Sequence, residues 1–191
     1  QTLEILNTLL KTYNNVGTVI QAYLFRAEED LKGLENVRIR LVKGAYKEDP
    51  SVAYQTKQDI DENFIKLIKM RLTNDAFTSI ATHDHHIINE VKTFVRENNI
   101  PKERFEFQML YGFRTELQES LVAEGYNFCT YVPFGKDWYG YFMRRLAERP
   151  QNINFIINDL FMTSDGKVKK APIAISAGLL SLFMYRRLNK K

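Results

Sequence analysis

The amino-acid sequence predicts an α/β fold of parallel strands joined by helices. Apolar segments with the period of two of a strand alternate along the chain with segments at helical spacing, giving one helix and then five repeats of strand followed by helix. Polar residues inside the strand segments gather near the C-terminal end of each, where parallel α/β folds build their sites. A complete (β/α)8 barrel takes about 250 residues, and the 191 present hold only these five strand segments. The pattern therefore reads as the later part of a TIM-type barrel, its C-terminal five or so βα units.

Leu3, Ile5, Leu6, Leu9 and Leu10 place a first helix over Gln1–Tyr13, closed by Asn14, Asn15 and Gly17. Thr18–Leu24 reads as a strand and residues 26–33 as a short helix. The central strand runs from Val37 toward Tyr46. Pro50 opens a long helix with Ile60, Phe64, Leu67, Ile68 and Leu72 on one face. Phe77–Thr82 is the next strand, Asp84–Asn98 a helix, and Phe105–Leu110 a strand ending at Tyr111 and Gly112. A helix through Leu117, Leu121 and Val122 stops at Gly125, and Asn127–Val132 is the last strand. Residues 1–150 form the barrel portion and 151–191 a helical tail.

A 45% apolar and 13% aromatic composition belongs to a globular chain with a core. The net charge of +4 comes from cations scattered among acids, so nucleic acid is not an expected partner. Cys129 is the single cysteine, which excludes an internal disulfide and points to a reducing compartment, the cytoplasm. The N-terminus lacks the layout of a signal peptide and carries no initiator Met, as in a piece of a longer chain.

The segment from Val37 to Tyr46 carries the most chemistry. Alternation sets Arg38, Arg40 and Val42 on one side and Ile39, Leu41 and Lys43 on the other. A strand buried on both faces that holds arginines needs an anionic or electron-rich partner for them, and the alternative is an exposed edge strand. The run Thr82-His83-Asp84-His85-His86 raises a metal site, with carboxylates completing the shell, against a histidine that donates to a ligand or caps a helix. On a helix, Tyr141, Arg144, Arg145 and Glu148 share one broad face, and paired guanidiniums suit a carboxylate or phosphate. A surface ion pair between Arg144 and Glu148 is the alternative. No glycine-rich nucleotide loop and no nucleophile elbow is present.

These residues carry a resemblance. Gln21-Ala-Tyr23, Arg40-Leu-Val-Lys-Gly-Ala-Tyr46, Ala81-Thr-His83, Phe107-Gln-Met-Leu-Tyr-Gly112, Tyr131-Val-Pro133 and Tyr141-Phe-Met-Arg-Arg145 follow one another as in flavin-dependent proline dehydrogenase. The chain resembles the C-terminal part of that family's distorted (β/α)8 barrel. The resemblance implies oxidation of L-proline to Δ1-pyrroline-5-carboxylate, the first step of proline catabolism, with electrons passed to a quinone.

It also implies site roles. Gln21, Arg40, Lys43, Gly44, Ala45, Thr82 and His83 would contact FAD, with Arg40 near the flavin's reactive nitrogen as the catalytic group. Arg144 and Arg145 would clamp the proline carboxylate, and Tyr131 and Tyr141 would wall its ring. The family's early strands, which supply a substrate-binding lysine and a catalytic aspartate, have no counterpart here. The chain alone is therefore expected to be inactive or impaired. Two other functions fit the residues without the resemblance: a metal-dependent barrel hydrolase using His83 and His85, and a non-catalytic truncated barrel. An open barrel exposes strand edges and part of its core, which implies association into oligomers or poor solubility.

Beyond Pro150 the resemblance fades. The mostly apolar stretch 171–185 lies between Lys167, Lys169 and Lys170 and Arg186, Arg187, Lys190 and Lys191. It is short of the roughly 20 residues of a spanning helix. Its two readings are a helix packed on the barrel or a partner, and a peripheral helix on the inner face of the membrane.

Overall fold

Strand alternation and helical spacing in the sequence become a single parallel sheet with helices on one side. The computed structural model describes residues 2–44, 46 and 48–135, all within one compact unit, Gln1–Glu148. Strands β1 (Gly17–Gln21), β2 (Arg38–Val42), β3 (Thr78–Ala81), β4 (Phe105–Leu110) and β5 (Asn127–Tyr131) lie side by side in chain order, each pair parallel. Helix α1 (Thr2–Leu10) precedes them, and α2 (Ala27–Lys32), α3 (Lys57–Leu72), α4 (His85–Glu97) and α5 (Thr115–Ala123) fill the connections. A doubly wound sheet reverses its strand order at a switch point, whereas a barrel wall does not. The order β1-β2-β3-β4-β5 is that of a barrel wall.

The helix-facing side is the core. Ile20, Ile39, Leu41, Ile80, Phe105, Phe107 and Met109 alternate onto it and pack with Phe64, Leu67 and Ile68 of α3, Ile88 and Val91 of α4, and Leu121 of α5. Each such side chain contributes roughly 1.5–3 kcal/mol on burial. The other face is polar. The register sets Val19, Arg40, Ser79, Glu106 and Asn127 in one row, and Gln21, Val42, Ala81, Gln108 and Cys129 in the next.

Three expectations need correction. β2 lies between β1 and β3 and is no edge strand. The long helix starts at Lys57 rather than Pro50. Residues 52–54 are drawn instead to the segment after β1, through Phe25 N–H to Val52 O (3.1 Å), Tyr54 N–H to Tyr23 O (2.8 Å) and a Leu24–Ala53 bridge. Thr56 then caps α3 by accepting from the Asp59 N–H at 3.1 Å. β1 ends at Gln21, because the Leu24 N–H turns back to Gln21 O at 3.2 Å, although Ala22 and Tyr23 still donate to Val42 and Lys43. The helix expected after β5 and the tail lie outside the described residues.

Candidate functional site

The C-terminal ends of the strands and the polar face below them hold the residues that the sequence singled out. Arg40 is half-buried on that face. Its Nε donates to Gln108 Oε1 at 2.6 Å, and its guanidinium carbon lies 5.9 Å from the centre of the Tyr131 ring. Gln108 Nε2 donates to Glu106 Oε1 at 2.7 Å, and Ser79 Oγ donates to the same oxygen at 2.7 Å. Arg38, lower on the same face, has its guanidinium 4.2 Å from the centre of the Phe77 ring. The partners of the two arginines are thus aromatic rings and an amide. The Arg40 Nη groups hydrogen-bond nothing among the described residues.

Lys43 leaves β2 on the helix side, as alternation predicts. Its Nζ meets Asp61 of α3 and, at 3.3 Å, Asp84 ahead of α4. The next residue turns the chain. Gly44 has φ +103°, and a Cβ there would lie 2.1 Å from Tyr23 Cδ1. Only glycine fits, because both the backbone sign and the buried Tyr23 ring exclude a side chain. Tyr23 reaches Glu48 with its hydroxyl at 3.5 Å, and burial followed by that carboxylate pushes its phenol up.

At the end of β3, buried Thr82 accepts from the Asp84 N–H (3.1 Å), and Asp84 caps α4 by accepting from the His86 N–H (3.1 Å). Burial alone would raise the Asp84 carboxyl. Lys43, the His86 N–H and Lys57 outweigh it and hold the group below its ordinary range. His83 Nε2 accepts from the Leu110 N–H at 3.0 Å, so the imidazole proton sits on Nδ1. Burial, reinforced by the positive charge of Arg114, pushes His83 down to about 4. A neutral His83 with Nε2 already bonded is an Nδ1–H donor at the strand end. That arrangement works against the metal alternative, and no group of three His, Cys, Asp or Glu among the described residues could hold a metal ion.

Gln21 ends β1 in the row of Gln108, and Tyr131 ends β5, 45% exposed beside Arg40. The structure thus brings Gln21, Arg40, Lys43, Gly44, Thr82, His83 and Tyr131 toward one end of the sheet, with Gln21 and Arg40 on the polar face and Lys43 on the helix side. Ala45, Tyr141, Arg144 and Arg145 lie outside the described residues. The sequence reading missed Glu106 and Ser79, whose signal was their in-phase spacing with Gln108 and Ala81, and Asp61, for which no local signal exists; Asp84 stood in the Thr82–His86 run, but its pairing with Lys43 was not expected. It also missed Arg71, which stands in the apolar stripe 64, 67, 68, 71, 72 of α3 and is 1% exposed.

The proline dehydrogenase family model matches residues 1–158. The chain belongs to the proline dehydrogenase family. Over 157 residues it is 53% identical to proline dehydrogenase 2 of Bacillus subtilis strain 168, covering 81% of this chain and 52% of that protein. Over 163 residues it is 47% identical to the proline dehydrogenase of Deinococcus radiodurans, covering 83% and 53%. It spans about half the length of these curated relatives. Among solved structures, proline utilization A from Bdellovibrio bacteriovorus, inactivated by N-propargylglycine, superposes with TM-score 0.69 at 31% identity, covering 76% of this chain and 18% of that one. Proline dehydrogenases are generally flavin-dependent. The wall of parallel strands in chain order is the matching part of such a barrel.

Proposed function

We propose that the chain provides the cofactor-binding strand ends of an FAD-dependent proline dehydrogenase, which oxidises L-proline to Δ1-pyrroline-5-carboxylate and passes electrons to a quinone. The observation that carries this is Arg40: a half-buried guanidinium anchored, among the described residues, through Nε alone, with its Nη groups left for a ligand. The donor set suits a flavin. Arg40 supplies a positive charge, His83 an Nδ1–H, and Gly44 a backbone that ligand atoms can approach closely. FAD, when bound, supplies the acceptor for the hydride that leaves the ring carbon beside the proline nitrogen.

In this reading Arg40 stabilises negative charge that develops at the cofactor. Gln21, Lys43, Gly44, Ala45, Thr82 and His83 line the cofactor site. Arg144 and Arg145 hold the substrate carboxylate in a bidentate grip, and Tyr131 and Tyr141 wall its ring. Neutral amines are then poor substrates. The proposed location is the cytoplasm, with peripheral contact at the inner face of the membrane, where a quinone is met. No helix among the described residues is long and apolar enough to cross a membrane.

The test is a visible spectrum of the purified chain, followed by FAD titration with and without a carboxylate analogue of proline. Flavin bands that shift when the analogue is added support the reading. A colourless chain indifferent to FAD contradicts cofactor binding by these strand ends, and is what a non-catalytic barrel portion would give.

A further inference from the structure

Among the described residues, the polar face of the sheet holds one anion that the cofactor reading does not use. Glu106 lies in the same register row as Arg40, with Ser79 between them. A direct ion pair across the row would neutralise the guanidinium and occupy its donors. The structure interposes the Gln108 amide instead. Arg40 Nε–H can only donate and the Glu106 carboxylate can only accept, so one orientation of the Gln108 amide satisfies both: oxygen toward Arg40 (2.6 Å), nitrogen toward Glu106 (2.7 Å). Ser79, 5% exposed on β3, holds the Glu106 oxygen from the other side at 2.7 Å.

We propose that Glu106 is a positioning residue for Arg40: by holding the Gln108 amide in one orientation, it fixes the Arg40 guanidinium while leaving its charge and Nη donors for an anionic ligand. The proposal rests on the reading of Arg40 as a cofactor-binding residue. Without Glu106 the Gln108 amide is free to turn its NH2 toward the cation, and the Arg40 Nε–H loses its acceptor. Without the amide spacer, carboxylate and guanidinium would satisfy each other, and the site would lose its affinity for an anion. Hydrogen bonds that involve charged groups are the stronger kind, and a chain of three reinforces each member.

The decisive measurement is the side-chain NMR signal of the Arg40 Nε–H in the full chain, assigned by its absence in Arg40→Lys. Its exchange with water should quicken about tenfold or more in Gln108→Leu and equally in Glu106→Leu, the factor expected when one hydrogen bond is lost. Glu106→Gln, which keeps an acceptor oxygen for the Gln108 NH2, should restore slow exchange. Unchanged protection in Glu106→Leu, even with a lowered melting temperature, overturns the proposal, since a merely structural Glu106 would not move this signal. If Glu106→Leu does not fold, a coupling across the hydrogen bond from Gln108 Nε2 to the Glu106 carboxyl carbon in the unaltered chain decides: its absence overturns the network.

FAD titration separates this inference from the reading beneath it. The loss of FAD affinity caused by Glu106→Leu should vanish when Arg40→Met is already present. Additive losses would show that Glu106 acts independently of Arg40 and overturn the proposal. Glu106-dependent protection of Arg40 in a chain that ignores FAD would leave the positioning role standing and remove the cofactor reading.

Discussion

Arg71 and Arg40 belong to the same wall of strands and are held in opposite ways. Arg71 reaches from α3 to the N-terminal end of the sheet, where Nη1 donates to Leu34 O at 2.8 Å and Nη2 to Val37 O at 2.9 Å, with longer contacts of 3.5 Å to Glu35 O and Thr78 Oγ1. It is 1% exposed, and that burial pulls its guanidinium below the ordinary arginine range. Arg40 sits on the opposite face with a single hydrogen-bond acceptor among the described residues, the Gln108 amide. A guanidinium whose donors end on backbone carbonyls ties elements together, and one with unassigned donors is available to a ligand. Their residue type is shared, so only the acceptors tell them apart.

The comparison predicts its largest effect at Arg71. Arg71→Leu takes the guanidinium donor from the buried Val37 carbonyl and leaves Leu34 O with the Val37 N–H alone, and should cost about 3–5 kcal/mol of unfolding free energy, the value of two hydrogen bonds to a charged group. Arg71→Lys should recover little, since one ammonium cannot span both carbonyls with the planar geometry of arginine. Urea denaturation measures both. A cost below about 1 kcal/mol for Arg71→Leu would show that Arg71 ties no elements together, because typical single substitutions already cost that much.

pH should act at one end only. Backbone carbonyls around Arg71 do not titrate, whereas His83 at the other end is pushed down to about 4 by burial. Above its ordinary value of 6.5 the imidazole is neutral whether folded or unfolded. As pH falls from 6.5 toward 4, the unfolded chain takes up a proton that the folded chain refuses, so stability is lost across that window, on the order of 3 kcal/mol in full. Asp84, held below its ordinary 3.8, loses its contribution only at lower pH. Denaturation midpoints between pH 7 and 4 should therefore fall in the unaltered chain and flatten in His83→Gln.

Gly44 gives the next effect. Gly44→Ala combines a left-handed backbone with a Cβ pressed into the Tyr23 ring, and about 2 kcal/mol or more is expected. A Tyr23→Leu background should relieve the contact and leave the backbone part, roughly 1–2 kcal/mol.

How far these differences could be read from the sequence depends on how local their causes are. The parallel α/β wall was legible because period two in Arg38–Val42 and helical spacing in Phe64–Leu72 record which side faces the core. The strand-end positions of Gln21, Lys43, Thr82, His83 and Gln108 were legible for the same reason. The start of α3 was not, because Val52–Tyr54 bond to Tyr23 and Phe25. Neither were the partners of Lys43, because Asp61 comes to it from α3 and Asp84 from the cap of α4. Arg71 had a signal, a cation inside an apolar stripe, but its carbonyl acceptors carry no sequence mark. Glu106 is intermediate: alternation puts it on the polar face, while its link to Arg40 depends on an amide orientation that only donor and acceptor geometry defines.

The smallest expected effect on stability is the sharpest test of the contrast. Arg40→Met removes a partly exposed cation and, among the described residues, leaves only Gln108 Oε1 without its donor. The cost should stay near 1 kcal/mol or below, the usual value of one net hydrogen bond. FAD affinity, measured on the same preparation, should fall by about a hundredfold, as when a pre-oriented charged donor is lost from a site that binds an anion. Arg71→Lys should show the reverse pattern, weak folding with flavin affinity retained in whatever fraction is folded. Were Arg40→Met to destabilise as much as Arg71→Leu, Arg40 would be a second structural staple, and the cationic end of the sheet would have to find its ligand-binding charge elsewhere. Stability and affinity moving separately at the two positions would divide one residue type into two functions by the acceptors each side chain meets.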